Sequence, residues 1–496
     1  MMTFIFVATF FVIIALGYYT SRGVKSLSAF TVAGKTSTWW MLVATFTAAN
    51  VSAGMYLGAT DLSGKIGYAM WCSSWPTCAG WLVIFGFTGV LMYRFAQKKE
   101  IFTIPDFFAE RFPSKSTGVR AVSALIIPLA YIPYMTAQMV AIGGIANSVF
   151  GLNYSIAVIF MGLVLISFLS TGGMSSIVKI DAIMILLVII GLVVPSFTGV
   201  SFLGGGDGAK GWQMILTGKD PSIFQGFSET WPWWIAVAQF TWLFSNATEP
   251  HLLTKVLTAK SEREILKALP IILIVGLVLY AAIIPIGIVG SLMPNPTGEK
   301  HYYINMVKQL SSVIAGLSLA GVAAAAITTV SVQALNSTTS ISRDFYQKVF
   351  NKNASNDEVL KLSRILTIVV VAVITGLALW NPMGIYWFVV LSAALIASAF
   401  FVPYVLGFIF TKMSGEAAFW SMIVGFVACL ITYAVNKSLG THYFVDHVYA
   451  GMLASALAAI VAGFYKKASA GDVEAALCVR RPSSPSPREE GLVAES

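Results

Sequence analysis

Three stretches of this chain put hydroxyl and amide side chains where a lipid-embedded helix would otherwise be apolar. The first is "TAANVSAG", Thr47 to Gly54, with Asn50 and Ser52 among small residues. The second is "WLFSNATEPHLL", Trp242 to Leu253, where Pro250 lacks a backbone donor and Ser245, Asn246 and Thr248 supply local acceptors. The third runs from Ala320 to Tyr346 and carries Thr328, Thr329 and Ser331 within one helical turn, so at least two of these hydroxyls can point the same way. An unwound turn tolerates such residues, and in a membrane it survives only where a polar cavity or protein satisfies its backbone. Neutral hydroxyl and carbonyl oxygens suit a hard cation without a strong field; Na⁺ fits such a cage better than a divalent ion, which would want more carboxylates. Each stretch also has a purely structural reading. Small residues allow close helix packing, prolines kink membrane helices, and Ser or Thr hydroxyls bond back to their own helix.

The elements that must position these groups are membrane helices. The chain has 496 residues, 57% hydrophobic and 11% charged, outside the usage of soluble globular proteins. Thirteen apolar candidate spans run from 3–20 to 446–465, each near the roughly 20 residues that cross hydrocarbon. The first lacks a basic leader and a small-residue cleavage site, and is read as a retained span rather than a signal peptide. With loops assigned alternately to the two sides, all but Lys65, Lys210, Lys219, Lys300, Lys308 and Lys437 of the 31 lysines and arginines fall on one side. Basic loops stay in the cytoplasm, which predicts a multi-pass plasma-membrane protein with its N-terminus outside and C-terminus inside. The net charge of +9 is thus spent on topology, and nucleic acid is not an expected partner. Residues 1–465 read as one membrane domain and 466–496 as a polar, disordered cytoplasmic tail. Cys72, Cys78, Cys429 and Cys478 form no CxxC or metal pattern, and no convergent His, Asp and Ser set marks an enzyme. Nothing here bears on oligomeric state.

Spans two to six and seven to eleven fit two five-helix repeats of opposite orientation, about 38–200 and 230–411, preceded by one extra helix. In transporters so built, the first helix of each repeat is broken near the midplane and its freed backbone binds solute and ion. The two polar stretches fall in corresponding helices, at the middle of spans two and seven.

The residues at this point resemble the sodium:solute symporter family over about 1–465. "AANVSA" with "YLG" resembles that family's first core helix and "AAITTVSVQ" its eighth; "TIPDFFAERF", "GGMSSIVKID", "EPHLLTKVLTAKS" and "STTSISRDFY" follow in family order. The resemblance implies an all-α LeuT-type 5+5 inverted repeat. It implies a sodium site from the carbonyls of Ala48, Val51 and Ala325 with the hydroxyls of Thr328 and Thr329. Asp181 matches a carboxylate associated with ion release or a second sodium, and Ser331 a second-sodium ligand, although Val332 replaces a neighbouring hydroxyl that some members use.

The expected solute site combines Asn50, Ser52, Met55, Ser74, Trp242, Ser245, Asn246 and Glu249, with Tyr56, Trp71 and Phe244 adding apolar wall. Sugar-carrying members place a Gln and a Glu at Met55 and Ser74, so the resemblance leans away from sugars. It leans toward the pantothenate and proline branches, hence a small carboxylate or amino acid, with half-helix N-termini able to hold a carboxylate without an arginine. Glu249 stands where proline carriers have a neutral residue. As an intramembrane carboxylate it either acts on a cation or proton, or lies near the helix end and pairs toward Lys255; His251 is expected to be a structural hydrogen-bonder. The expected activity is Na⁺-coupled symport by alternating access, with a proton-coupled carrier and a solute-sensing receptor as the alternatives.

Overall fold

The computed structural model describes residues 1–21, 31–217, 237, 239–381, 383–439 and 444–480. Among these residues nine helices are long and apolar enough to cross a membrane, from Gly54–Lys98 to His447–Tyr465. The other four expected spans account for the difference from thirteen. Met2–Ser21 is helical, and Tyr154–Ile166 is a shorter apolar helix that bends at Gly173 (φ 54°) into the next span. Span two is divided, because Trp39–Asn50 stops after 12 residues. Span seven, expected over 230–254, lies partly outside the described residues and is also divided, into Thr241–Asn246 and Pro250–Leu257.

Helix ends follow local chemistry. Gly151 takes a left-handed conformation that closes Ser116–Phe150, and Asn153 then caps the next helix by accepting from the amides of Ser155 and Ile156. Ser355 and Glu358 form a reciprocal capping box at the start of Asn356–Trp380. The second half of the first divided helix turns at Gly67, whose φ of 58° suits a residue without Cβ. The hydroxyl-rich helix and Ile385–Ile409 lie at the core of the bundle, each with 83% of its apolar window buried, against 17% for His447–Tyr465 at the periphery. Peripheral helices expose Trp420, Leu453, Leu457 and Ile460, the residues a helix turns toward lipid.

Charges gather at one end of the bundle. Asp106 of "TIPDFFAERF" receives Arg120 and Arg343, the latter at 2.6 Å, and Arg343 also reaches Asp344 at 2.7 Å. Two separate motifs of the sequence thus meet in one buried cluster. Arg94 pairs with Glu262 through two hydrogen bonds of 2.8 and 2.6 Å.

The tail expectation needs correction between 470 and 480. Ala470–Arg480 is a helix, anchored where buried Asp472 accepts from the Ser114 amide and hydroxyl at 3.2 and 2.6 Å. Its backbone carbonyl also takes Arg111 Nη1 at 3.0 Å. A polar composition predicts disorder only where no buried partner exists, and here the partner lies 358 residues away in sequence. Residues 481–496 lie outside the described residues.

Candidate functional site

A helix that ends inside a bundle leaves its last carbonyls without amide partners. Trp39–Asn50 ends that way: Val51 is extended (φ −73°, ψ 106°), and helix resumes at Gly54 in a wider turn. The Thr47 carbonyl accepts from the Val51 amide at 2.8 Å. Ala48 O accepts from Thr328 Oγ1 at 2.8 Å, and Ala49 O from Thr329 Oγ1 at 3.3 Å. The hydroxyl-rich helix therefore supplies the donors that the break removes. Beyond the break, the Ala53 amide donates to Gln138 Oε1 at 2.8 Å and the Gly54 amide to Ser52 Oγ at 3.2 Å.

The second break is built alike. Glu249 is extended (φ −66°, ψ 115°) and Pro250 opens Pro250–Leu257, where its missing donor costs nothing. The His251 amide donates to Tyr131 Oη at 2.9 Å, and the Leu252 and Leu253 amides to Glu249 O at 3.0 Å. The two breaks touch: Asn50 Nδ2 donates to Asn246 Oδ1 at 2.8 Å, while Asn246 Nδ2 donates to Trp242 O at 2.7 Å.

Of the residues assigned to sodium, Thr328 Oγ1 lies 2.8 Å from Ala48 O and 3.0 Å from Ala325 O. Thr329 lies against the neighbouring Ala49 carbonyl. Val51 is the extended residue itself. All five side chains are buried, and the oxygens that converge are neutral.

Beside these oxygens is a small cavity of about 40 Å³. Six of the expected residues line it: Asn50, Ser52, Met55, Trp242, Asn246 and Glu249. Ser74 and Ser245 do not. Ser74 is buried and turned toward its own helix, and Ser73, one position earlier, faces the cavity instead; a helix advances about 100° per residue, so a one-residue error changes the face. Ser245 is buried with no partner for its hydroxyl. The expected wall residues Tyr56, Trp71 and Phe244 are also elsewhere. Tyr56 donates to Val188 O at 2.6 Å, Trp71 stacks toward Trp75, and Phe244 packs edge-on to Phe401. Sequence reasoning missed Tyr134, Tyr280 and Tyr386, which also line the cavity. A tyrosine in an apolar span was the available signal, since its hydroxyl needs a partner when buried.

Glu249 is 4% exposed. The expected pairing toward Lys255 is absent, because Lys255 Nζ sits 2.7 Å from Asp181 Oδ2 and 2.7 Å from Thr45 Oγ1. Thr45 in turn donates to Asp181 Oδ2 at 2.5 Å. This closed triangle ties Trp39–Asn50, Pro250–Leu257 and the helix of Asp181. Ser331, the other candidate for a second ion, donates to Ile327 O one turn back at 2.6 Å, and no hydrogen bond joins it to Asp181. His251 is a structural hydrogen-bonder: its Nδ1 lies 3.0 Å from Tyr131 Oη.

A helical membrane bundle in which two interrupted helices meet across a buried polar cavity, backed by a hydroxyl-rich helix, defines a secondary transporter. The profile of the sodium:solute symporter family matches residues 30–425, and the chain belongs to that family. It is 23% identical to the osmoregulated proline transporter of Bacillus subtilis over 93% of this chain and 94% of that one. It is 24% identical to the sodium/proline symporter of Escherichia coli (85% of each chain) and 24% identical to the sodium/glucose cotransporter of Vibrio parahaemolyticus (84% and 82%). Among solved structures, a Na⁺-coupled sialic acid symporter in a substrate-bound outward-open state superposes with a TM-score of 0.76 at 16% identity, covering 94% of this chain and 98% of that one. A nucleobase-cation-symport-1 family transporter superposes with a TM-score of 0.57 at 14% identity (92% and 99%). The fold is thus the expected all-α LeuT-type bundle, and the protein is a multi-pass, sodium-coupled transporter rather than an enzyme.

Proposed function

We propose that the protein carries out Na⁺-coupled symport of a small amino acid or carboxylate by alternating access. In this reading the ion is held by the carbonyls of Ala48, Val51 and Ala325 and the hydroxyls of Thr328 and Thr329, and the solute occupies the neighbouring cavity. The observation that carries it is the pairing of the Ala48 and Ala49 carbonyls, freed at the first break, with Thr328 and Thr329 across the bundle. An ion entering there bonds both helices, which draws the break against the hydroxyl-rich helix and shapes the wall beside Asn50. Coupling is reciprocal, so solute must tighten Na⁺ by the factor by which Na⁺ tightens solute. One positive charge moving inward gains about 2.3 kcal/mol per 100 mV.

Relatives named for proline make amino acids the first class to try. The repeats about 38–200 and 230–411 would rock against each other around the site, with the N-terminus outside and the C-terminus in the cytoplasm. Uptake of labelled proline, pantothenate, acetate, pyruvate and galactose into proteoliposomes under an inward Na⁺ or K⁺ gradient tests the reading. Accumulation of one solute with Na⁺ only supports it. Equal accumulation in K⁺ that follows a pH gradient would transfer coupling to protons.

A further inference from the structure

Resting on the reading of this cavity as the solute site, we infer that the transported solute carries a cationic nitrogen, an ammonium or quaternary amine, which sits against the Glu249 carboxylate.

Two sets of contacts lead there. The first concerns the donors that an anionic solute would need. Half-helix N-termini hold carboxylates through free backbone amides, but here the amides are engaged. Ala53 and Gly54 donate to Gln138 and Ser52; at the second break Pro250 has no N–H and His251 donates to Tyr131. Asn50 Nδ2 and Asn246 Nδ2 each spend one of their two N–H groups within the protein. An anion entering this cavity would find those amides taken and would face the Glu249 carboxylate, with neutral hydroxyls such as Ser73 and Thr77 and the Trp242 indole left to donate.

The second set concerns Glu249 itself. It lines the cavity although it is 4% exposed. Its nearest basic group is His251 Nδ1 at 3.8 Å, which is engaged by Tyr131. Lys255, one turn and a half along, is held by Asp181 and Thr45. Among the described residues no lysine or arginine forms an ion pair with Glu249. A carboxylate out of water requires a countercharge or a neutralising proton, and a solute nitrogen delivers the countercharge from the cavity side. The aromatic residues sharing the cavity suit the same group: Tyr134, Tyr280, Tyr386 and Trp242 are part of its lining, with Trp242 and Tyr386 edge to face at 6.5 Å. Ring faces attract ammonium and quaternary amine groups and repel carboxylates. A zwitterion such as an amino acid or betaine satisfies Glu249 with its nitrogen and leaves its carboxylate toward the sodium side, where the bound ion supplies the positive charge that the amides do not.

The test compares solutes that differ only in this charge. Full-length protein in proteoliposomes, under an inward Na⁺ or K⁺ gradient, is offered labelled L-proline, N-acetylproline, glycine betaine, choline, pyruvate and pantothenate. At least one of proline, betaine and choline should accumulate at least tenfold more than N-acetylproline, pyruvate and pantothenate. Glu249→Gln should raise KM for that solute at least tenfold, Glu249→Asp should recover part of the loss, and Na⁺-dependent thermal protection of both variants should stay within twofold of the parent. The inference is overturned if no solute with a cationic nitrogen accumulates, or if Glu249→Gln handles such a solute like the parent. It is also overturned if Glu249→Gln changes only the number of Na⁺ moved per solute, which would make the carboxylate an ion site. Na⁺-driven uptake of pyruvate or pantothenate alone leaves sodium symport standing and removes this inference; uptake of a cationic solute equally in K⁺ does the reverse.

Discussion

Replacing Thr328 by valine separates a hydroxyl from the volume it fills. The side chain is 1% exposed and its oxygen lies 2.8 Å from Ala48 O and 3.0 Å from Ala325 O. Valine keeps the branched shape, so no cavity forms, but it removes the donor to a carbonyl that the helix break has already orphaned. Leaving that carbonyl unpaired costs about 1–3 kcal/mol. If Na⁺ uses the same oxygen, its binding loses a ligand as well. A loss of roughly 1.4–2.8 kcal/mol corresponds to ten- to a hundredfold in apparent Na⁺ affinity. The assay is the Na⁺ concentration giving half-maximal solute uptake in proteoliposomes, with Na⁺-dependent thermal protection of the solubilised protein as a transport-free check. Thr328→Ser keeps the hydroxyl and should stay within about threefold of the parent by the same reckoning. A folded Thr328→Val protein with unchanged half-saturation, or a serine variant as impaired as the valine one, would refute the ligand assignment and reduce the contact to helix packing.

Three further outcomes follow from the contacts. Lys255→Met leaves Asp181 buried without its cation and should destabilise the protein by about 3–5 kcal/mol, whereas Lys255→Met with Asp181→Leu should regain most of that; thermal unfolding of the solubilised protein decides, and a fully stable single variant would contradict the pairing. A Cβ at Gly80 would sit 2.7 Å from Asn246 Cβ and 3.1 Å from Leu243 O, so Gly80→Val should displace Thr241–Asn246 and weaken solute uptake more than Na⁺-dependent protection, measured side by side. For Asp106, burial alone would raise the carboxyl pKa, but the Arg343 and Arg120 guanidiniums and the Phe102 amide outweigh it and hold the pKa below its ordinary value. Its stabilising contribution is therefore complete above the unfolded pKa of about 3.9 and is lost as pH falls through the lower folded value. Asp106→Asn should lower stability at neutral pH and flatten this acid dependence, read from thermal unfolding between about pH 2 and 7.

What was legible in the sequence was whatever periodicity and composition carry. Long apolar runs reveal spans, and residues that hydrocarbon has no reason to keep reveal the breaks; Val51 and Glu249 are extended inside the two stretches singled out. Thr328 and Thr329 were readable because hydroxyls clustered within one turn of a buried apolar helix mark a stretch with polar work to do, and here both meet carbonyls of the first break. The errors arose where a side chain's direction depends on tertiary packing. Ser73 and Ser74 are adjacent and chemically identical, and only the rotation of their helix selects which one meets the cavity. That Glu249 lines the cavity and does not take the alternative of pairing with Lys255 has a sharper cause. Six residues along an unbroken helix would have placed Lys255 about 9 Å further along one axis from it, close enough to invite a pairing. The break at Glu249 frees that residue from the helix beginning at Pro250, so the carboxylate faces the cavity while the lysine travels with the helix toward Thr45 and Asp181. The second interruption thus separates two charges only six residues apart in sequence. It leaves one of them committed to holding the bundle together and the other facing the cavity.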